Sequence, residues 1–175
     1  VVPIGGNLIT NDVAIGFRTH VDVAERIKLT YGSCLPDELP KRENIKLAEF
    51  IPEDASVFSR RELAEIIEAR MRDIFELLQK ELKKIDRKQL LPAGVILVGG
   101  SSALPGLVEL TRKEMALPVE IGFPPATEAP DEKIAPTLAT ALGAIHWQEM
   151  REASASASSW PHRTSEFSKK PLMRW

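Results

Sequence analysis

The sequence predicts an α/β fold with an inserted helical and α+β subdomain. Three observations carry that expectation. Residues 94–100 (GVILVGG) form a continuous apolar run rich in β-branched residues, as a buried parallel strand does. From Ser59 to about Arg87 apolar residues keep a helical period. The element order is strand, helix, helix, insertion, long helix, strand, helix, strand, helix, which is an α/β unit interrupted once.

In chain order, residues 1–4 (VVPI) read as a short strand running into Gly5-Gly6. Residues 10–17 (TNDVAIGF) read as a short helix. Thr19, with Asp22 three residues on, makes a capping-box arrangement that opens the helix VDVAERIKLTY. Val23, Ile27 and Tyr31 share one face of it, and Gly32 is placed to stop it. Residues 33–58 hold prolines and two alternating runs, IKLAEF and ASVFS, which suggest edge strands or loops. Ser59 with Glu62 is a second capping-box pair. Behind it Leu63, Ile66, Ile67, Met71, Ile74, Leu78, Leu82 and Ile85 mark one apolar side of a long helix that is charged on the other. The strand GVILVGG ends in GGSSALPG, where Pro105 fits the first turn of the helix GLVELTRKEM. LPVEIGF is a second strand. APTLATALGAIHWQEM is a helix of small residues able to pack close to the sheet. After Arg151 the composition changes: ASASASS reads as a flexible polar linker, and WPHRTSEFSKKPLMRW mixes aromatic and basic residues.

Composition narrows the function classes. The 175 residues are 43% hydrophobic and 27% charged, a mix that folds, and their net charge of -2 argues against a nucleic-acid binder. A single cysteine, Cys34, permits neither an intrachain disulfide nor a cysteine-rich metal site. His20, His146 and His162 are scattered without metal-ligand spacing, so no metal site is expected. P-loop, GxGxxG and GxSxG patterns are absent. No apolar run approaches the roughly 20 residues that span a bilayer. The chain opens on Val1 within what reads as a strand, so we expect a fragment whose N-terminal part is missing.

Two motifs point to chemistry. In GVILVGGSSALPG a strand delivers two glycines at its carboxyl end, where open α/β sheets bind ligands. Without a Cβ, a ligand ring can lie against that backbone. Alone this also describes an ordinary turn. In PIGGNLITND…AERIK, a second glycine pair precedes Glu25 and Lys28, three apart on one helix side. That pair reads either as a solvated ion pair or as a grip on ribose hydroxyls and a base edge. Arg70 shares a column with Ile66 and Ile74, where an arginine can cover the edge of a core with its stem.

Three stretches together resemble the FtsA family of bacterial cell division proteins, which are actin-like and bind ATP. They are VVPIGGNLITNDVAIGFRTHVDVAERIKLTYG, SRRELAEIIEARMRDIFELL, and LPAGVILVGGSSALPGLVEL with its trailing ATALGAIHW. The resemblance runs in order through residues 1–148. Each piece alone is unspecific; the combination is specific. The same core occurs in MreB, actin and the pilus protein PilM, and the helix bearing Glu68-Ala69-Arg70 turns the choice to FtsA.

The resemblance implies an actin-like (ribonuclease H-like) nucleotide-binding half. Residues 1–32 and 92–150 would form its nucleotide-facing subdomain. Residues 33–91 would form the inserted subdomain, and residues 151–175 a linker with the start of a membrane-targeting segment. It implies that Gly5, Gly6, Glu25, Lys28, Gly99, Gly100 and Ser101 surround the adenosine of ATP. The phosphate loops and the Mg²⁺ ligands would lie upstream of Val1. The fragment would then not hydrolyse ATP alone, and the full-length protein would be at most a weak ATPase. Arg70 would meet the C-terminal peptide of the tubulin-like protein FtsZ, a contact suited to acidic peptides. Self-association into actin-like filaments and attachment to the inner face of the cytoplasmic membrane at the division site are implied as well. The alternatives are a PilM-like pilus adaptor or another actin-superfamily ATPase or kinase half.

Overall fold

A computed structural model describes residues 4–85, 91–124 and 135–158 of the chain. Residues through Thr140 form one compact unit, and those from Ala141 a second. The elements are α1 (Gly6–Gly16), α2 (Val21–Tyr31), β1 (Asn44–Lys46), β2 (Val57–Ser59), α3 (Arg60–Lys84), β3 (Val95–Leu97), α4 (Leu107–Met115), β4 (Val119–Ile121) and α5 (Ala135–Ser158). The strand expected at residues 1–4 lies outside the described residues, except for Ile4, which is irregular.

The core is built by helices. Ile9 and Val13 of α1, Ala24 and Ile27 of α2, Leu63, Ile67 and Met71 of α3, and Leu107 and Leu110 of α4 form one buried cluster. In α3 these positions follow the 3.6-residue period read from the sequence, and Phe75 joins them at the same spacing. Ile85, the last residue assigned to that stripe, caps the helix and is exposed.

The two alternating runs of the insertion become an antiparallel pair, with Ile45 opposite Phe58. Phe58 stacks on Phe17 at 4.2 Å between ring centroids and so ties the hairpin to α1. β3 and β4 pair in parallel, Val95 opposite Val119 and Leu97 opposite Ile121, with α4 as their crossover. Here the structure corrects the sequence reading. Val95 and Leu97 turn to the core, while Ile96 and Val98 are 64% and 48% exposed. A continuous apolar run presumes cover on both faces, and among the described residues this sheet pairs two strands and is covered on one face.

Caps differ too. Helix α2 starts one residue later than the capping box requires, with His20 at the N-cap and no side-chain cap bond. Thr19 instead turns inward, and its hydroxyl is buried with no hydrogen-bond partner among the described residues. Arg18 before it adopts φ 50°, a left-handed conformation. Ser59 does precede α3, again without a side-chain cap bond. Gly32 ends α2 in an extended conformation, φ -61° and ψ 142°. Its glycine is needed for space: a Cβ there would sit 2.3 Å from the Lys28 carbonyl oxygen. Pro105 precedes α4 rather than entering its first turn, because left-handed Gly106 is the N-cap.

The last correction concerns ASASASS. Helix α5 continues to Ser158, so residues 153–158 are helical rather than a flexible linker. Alanine is the strongest helix former, serine costs only a few tenths of a kcal/mol, and a helix already nucleated extends at little cost. No helix among the described residues is long and apolar enough to cross a membrane. The segment from Trp160, expected to begin a membrane-targeting element, lies outside the described residues.

Candidate functional site

A cleft of ≈ 300 Å³ opens between the start of α1, the middle of α2 and the turn that follows β3. Of the residues singled out in the sequence, Gly6, Glu25, Lys28, Gly100 and Ser101 line it. Gly5 and Gly99 flank it and line an adjoining, more apolar hollow that shares Gly6, Gly100 and Ser101 with it. Two sequence segments nearly a hundred residues apart thus meet at one place. Their contact is close: a Cβ on Gly6 would fall 2.3 Å from Ser101 Oγ.

Each glycine has its own reason. Gly99 takes φ +87°, which a side chain resists, and this left-handed residue swings the chain out of β3 into a 3-10 turn over Gly100–Ala103. The Gly99 N–H donates to the Pro136 carbonyl at 2.8 Å, and its own carbonyl accepts from the Ser102 hydroxyl at 2.7 Å. Ser102, not Ser101, therefore pins the turn, which leaves Ser101 Oγ to the cleft. At Gly100 a Cβ would meet nothing within 4 Å, because it would project into open space.

The polar side of the cleft is a three-residue cluster. Lys28 is only 6% exposed. A buried ammonium needs acceptors, and Lys28 Nζ donates to Glu25 Oε2 at 2.6 Å and to Thr10 Oγ1 at 2.9 Å. The Thr10 hydroxyl in turn donates to Glu25 Oε2 at 2.5 Å. Burial pushes the Glu25 carboxyl up, but the hydrogen bonds from Lys28 and Thr10 and the charge of Lys28 outweigh it, so its pKa falls below the usual value. Thr10 escaped the sequence reading. The available signal was its position one helical turn after Gly6.

Arg70 sits elsewhere, across α3 from the cleft's turn. Its Nε and Nη2 fork onto Asp12 of α1 at 2.5 and 2.8 Å, and Nη1 lies 3.5 Å from Asp73. An open groove of ≈ 350 Å³ runs here, between Ile15 and Gly16 of α1 and Ile66 and Ala69 of α3. The arginine is thus more than a stem over a core edge: it clamps two helices. Asp12, fifty-eight residues away in sequence, carried no signal of that role. Among the described residues no group of three His, Cys, Asp or Glu is placed to hold a metal ion.

A family model described as cell division protein FtsA matches residues 1–143. The chain is 31% identical over 182 residues to the cell division protein FtsA of Pseudomonas aeruginosa, covering 100% of the chain and 44% of that protein. It is 37% identical over 148 residues to that of Neisseria meningitidis serogroup B, with 83% of the chain and 36% of that protein covered. For Bacillus subtilis FtsA the identity is 35% over 124 residues, or 71% and 28%. The chain spans less than half the length of these relatives.

Proposed function

The chain belongs to the FtsA family of bacterial cell division proteins, and we propose that it forms the adenosine-facing half of an actin-like, ATP-binding scaffold that joins the FtsZ ring to the inner face of the cytoplasmic membrane. One observation carries the nucleotide part of this reading: Gly6, Glu25, Lys28, Gly100 and Ser101 converge on a single cleft. Its volume is at the lower end of small-molecule sites, about 300–1,000 Å³. The bare backbone at Gly100 leaves room for a flat ring. Lys28 and Glu25 offer a donor and an acceptor to sugar hydroxyls and a base edge. Bound ATP would act chiefly by shifting populations between conformations. Mg²⁺ would accompany its phosphates, held by residues outside this chain.

The partner part of the reading rests on Arg70. An acidic peptide such as the FtsZ tail would meet a guanidinium whose fork already holds Asp12. It would dock at Nη1 or displace Asp12, and the apolar groove walls formed by Ile15 and Ile66 would take its aliphatic groups. The membrane part rests on sequence alone. From Trp160 on, Arg163, Lys169, Lys170 and Arg174 accompany Phe167, Leu172, Met173 and Trp175, a composition suited to an anionic leaflet. Filament formation by self-association belongs to the same proposal.

Calorimetry on the full-length protein tests the nucleotide site. Lys28→Ala removes a charge-assisted hydrogen bond of about 1.5–3 kcal/mol, and is expected to weaken ATP binding about tenfold or more. Gly100→Val should weaken it by filling the open side of the cleft. Unchanged affinity in both, with the fold intact, would refute the assignment.

A further inference from the structure

We propose that Thr10 is the positioning residue of this cleft: its buried hydroxyl holds Glu25 and Lys28 in the arrangement with which they receive the sugar hydroxyls of a bound nucleotide. The inference rests on the nucleotide reading above and adds to it a residue that does not itself line the cleft.

The argument begins with what threonines do in helices. A helical threonine habitually turns its hydroxyl back onto the carbonyl four residues earlier. Among the described residues Thr30 does so onto Arg26 at 2.8 Å and Thr111 onto Leu107 at 2.6 Å. Thr10 is also within back-bonding reach of its i−4 carbonyl, but a shorter acceptor competes for its proton. Its own carbonyl acceptor, Gly6, is 3.3 Å away, while Glu25 Oε2 is at 2.5 Å. A hydroxyl has one proton, and the shorter, charge-assisted contact takes it. Its lone pairs then face Lys28 Nζ at 2.9 Å. Donor and acceptor are thus both used, and in one direction only: from lysine to hydroxyl to carboxylate.

Burial makes the arrangement stiff. Thr10 is 3% exposed and Lys28 6%, whereas the Glu25 side chain is 41% exposed. The two inner members are fixed by packing, and the outer one reaches solvent at the cleft. Without the hydroxyl the ammonium keeps one acceptor instead of two. The carboxylate loses its anchor to α1 and is free to swing outward. Lys28 and Glu25 would then meet a ligand from a spread of positions, and binding would carry the cost of ordering them.

The experiment uses the full-length protein, with ATP and 2′,3′-dideoxy-ATP as probes. Thr10→Val and Thr10→Ala are each expected to bind ATP about tenfold more weakly and to lose most of the preference for ATP over the dideoxy analogue. Thr10→Ser, which keeps the hydroxyl, should stay within about threefold of wild type. Because Thr10 acts through its partners, Thr10→Val should add little once Lys28→Ala is present. Equal losses in Thr10→Ser and Thr10→Val would overturn the inference. So would full additivity with Lys28→Ala, or loss of the fold in both Thr10→Val and Thr10→Ala, which would make the residue purely structural. If Lys28→Ala and Glu25→Gln weaken ATP binding but the Thr10 variants do not, the nucleotide reading stands and Thr10 falls. If none of them changes binding, the nucleotide reading itself fails.

Discussion

Reversing the charge at Arg70 should destabilise the fold before it affects any partner. The guanidinium makes two hydrogen bonds to the Asp12 carboxylate, at 2.5 and 2.8 Å, with the two side chains 32% and 24% exposed. Exposed pairs contribute at most about 1 kcal/mol and buried charged hydrogen bonds about 1.5–3, so this half-shielded fork is assigned about 1.5 kcal/mol. Arg70→Glu loses it and sets a carboxylate against Asp12 and Asp73, which adds about 0.5 kcal/mol of repulsion at moderate salt. The sum is about 2 kcal/mol. In a chain of this size each kcal/mol moves Tm by about 2–4 °C, so the expected fall is about 4–8 °C. Thermal melting of the chain, followed by circular dichroism at low and high salt, reads it directly. Arg70→Met keeps the stem over Ile66 and should lose only the pair. Combining Arg70→Glu with Asp12→Arg should recover more than half of the loss. A fall of less than about 1 °C for Arg70→Glu, or a charge swap less stable than either single variant, would refute the reasoning. With the expected destabilisation, an FtsZ-peptide assay on Arg70→Glu alone is ambiguous, and Asp12→Asn, which leaves the guanidinium in place, is the necessary companion.

Two further outcomes test the packing. Cys34 is fully buried, and burial, with smaller contributions from Glu68 and Glu109, pushes its thiol from 9.0 up to about 12. Its folded pKa exceeds the unfolded one, so its contribution to stability is complete below the unfolded value and fades as pH climbs toward the folded one. The native thiol should resist alkylation at neutral pH and react on unfolding, while native alkylation at the unfolded rate would contradict its burial. Gly32→Ala and Gly100→Ala should differ sharply. The first drives a Cβ into the Lys28 carbonyl and should cost about 1–3 kcal/mol, whereas the second enters open space and should stay within about 0.5, as denaturant midpoints will show.

How much was legible in the sequence depended on distance along the chain. The stripe on α3 was readable because helical period is a local property, and so was the β3 turn, because paired glycines after an apolar run announce it. The convergence of Gly6 with Gly100 was reached through family resemblance. No spacing rule connects residues so far apart. Pairings such as Arg70 with Asp12 left no trace, since either charge reads equally well as solvated. The two capping boxes fared differently: Ser59 is the N-cap of α3, though without a side-chain cap bond, whereas α2 begins one residue beyond the start that Thr19 would cap. The exposed face of β3 was misread because hydrophobicity reports what a strand is made to be covered by, not what covers it in a given chain.

The short connection between α1 and α2 has a consequence for how far this fold lies from its own optimum. Arg18 there holds a left-handed backbone, and the neighbouring Thr19 buries an unpartnered hydroxyl. Left-handed strain costs about 1 kcal/mol and an unmet buried hydroxyl about 1–3, so about 2–4 kcal/mol stand against folding within two residues. Glycine or asparagine at the first position and an apolar side chain at the second would relieve both. Proteins persist wherever they clear the stability their work requires, and nothing drives them beyond it. This bend is a place where the molecule can be made sturdier without touching the cleft or the arginine clamp, giving variants in which functional substitutions are tolerated and their effects on binding read free of unfolding.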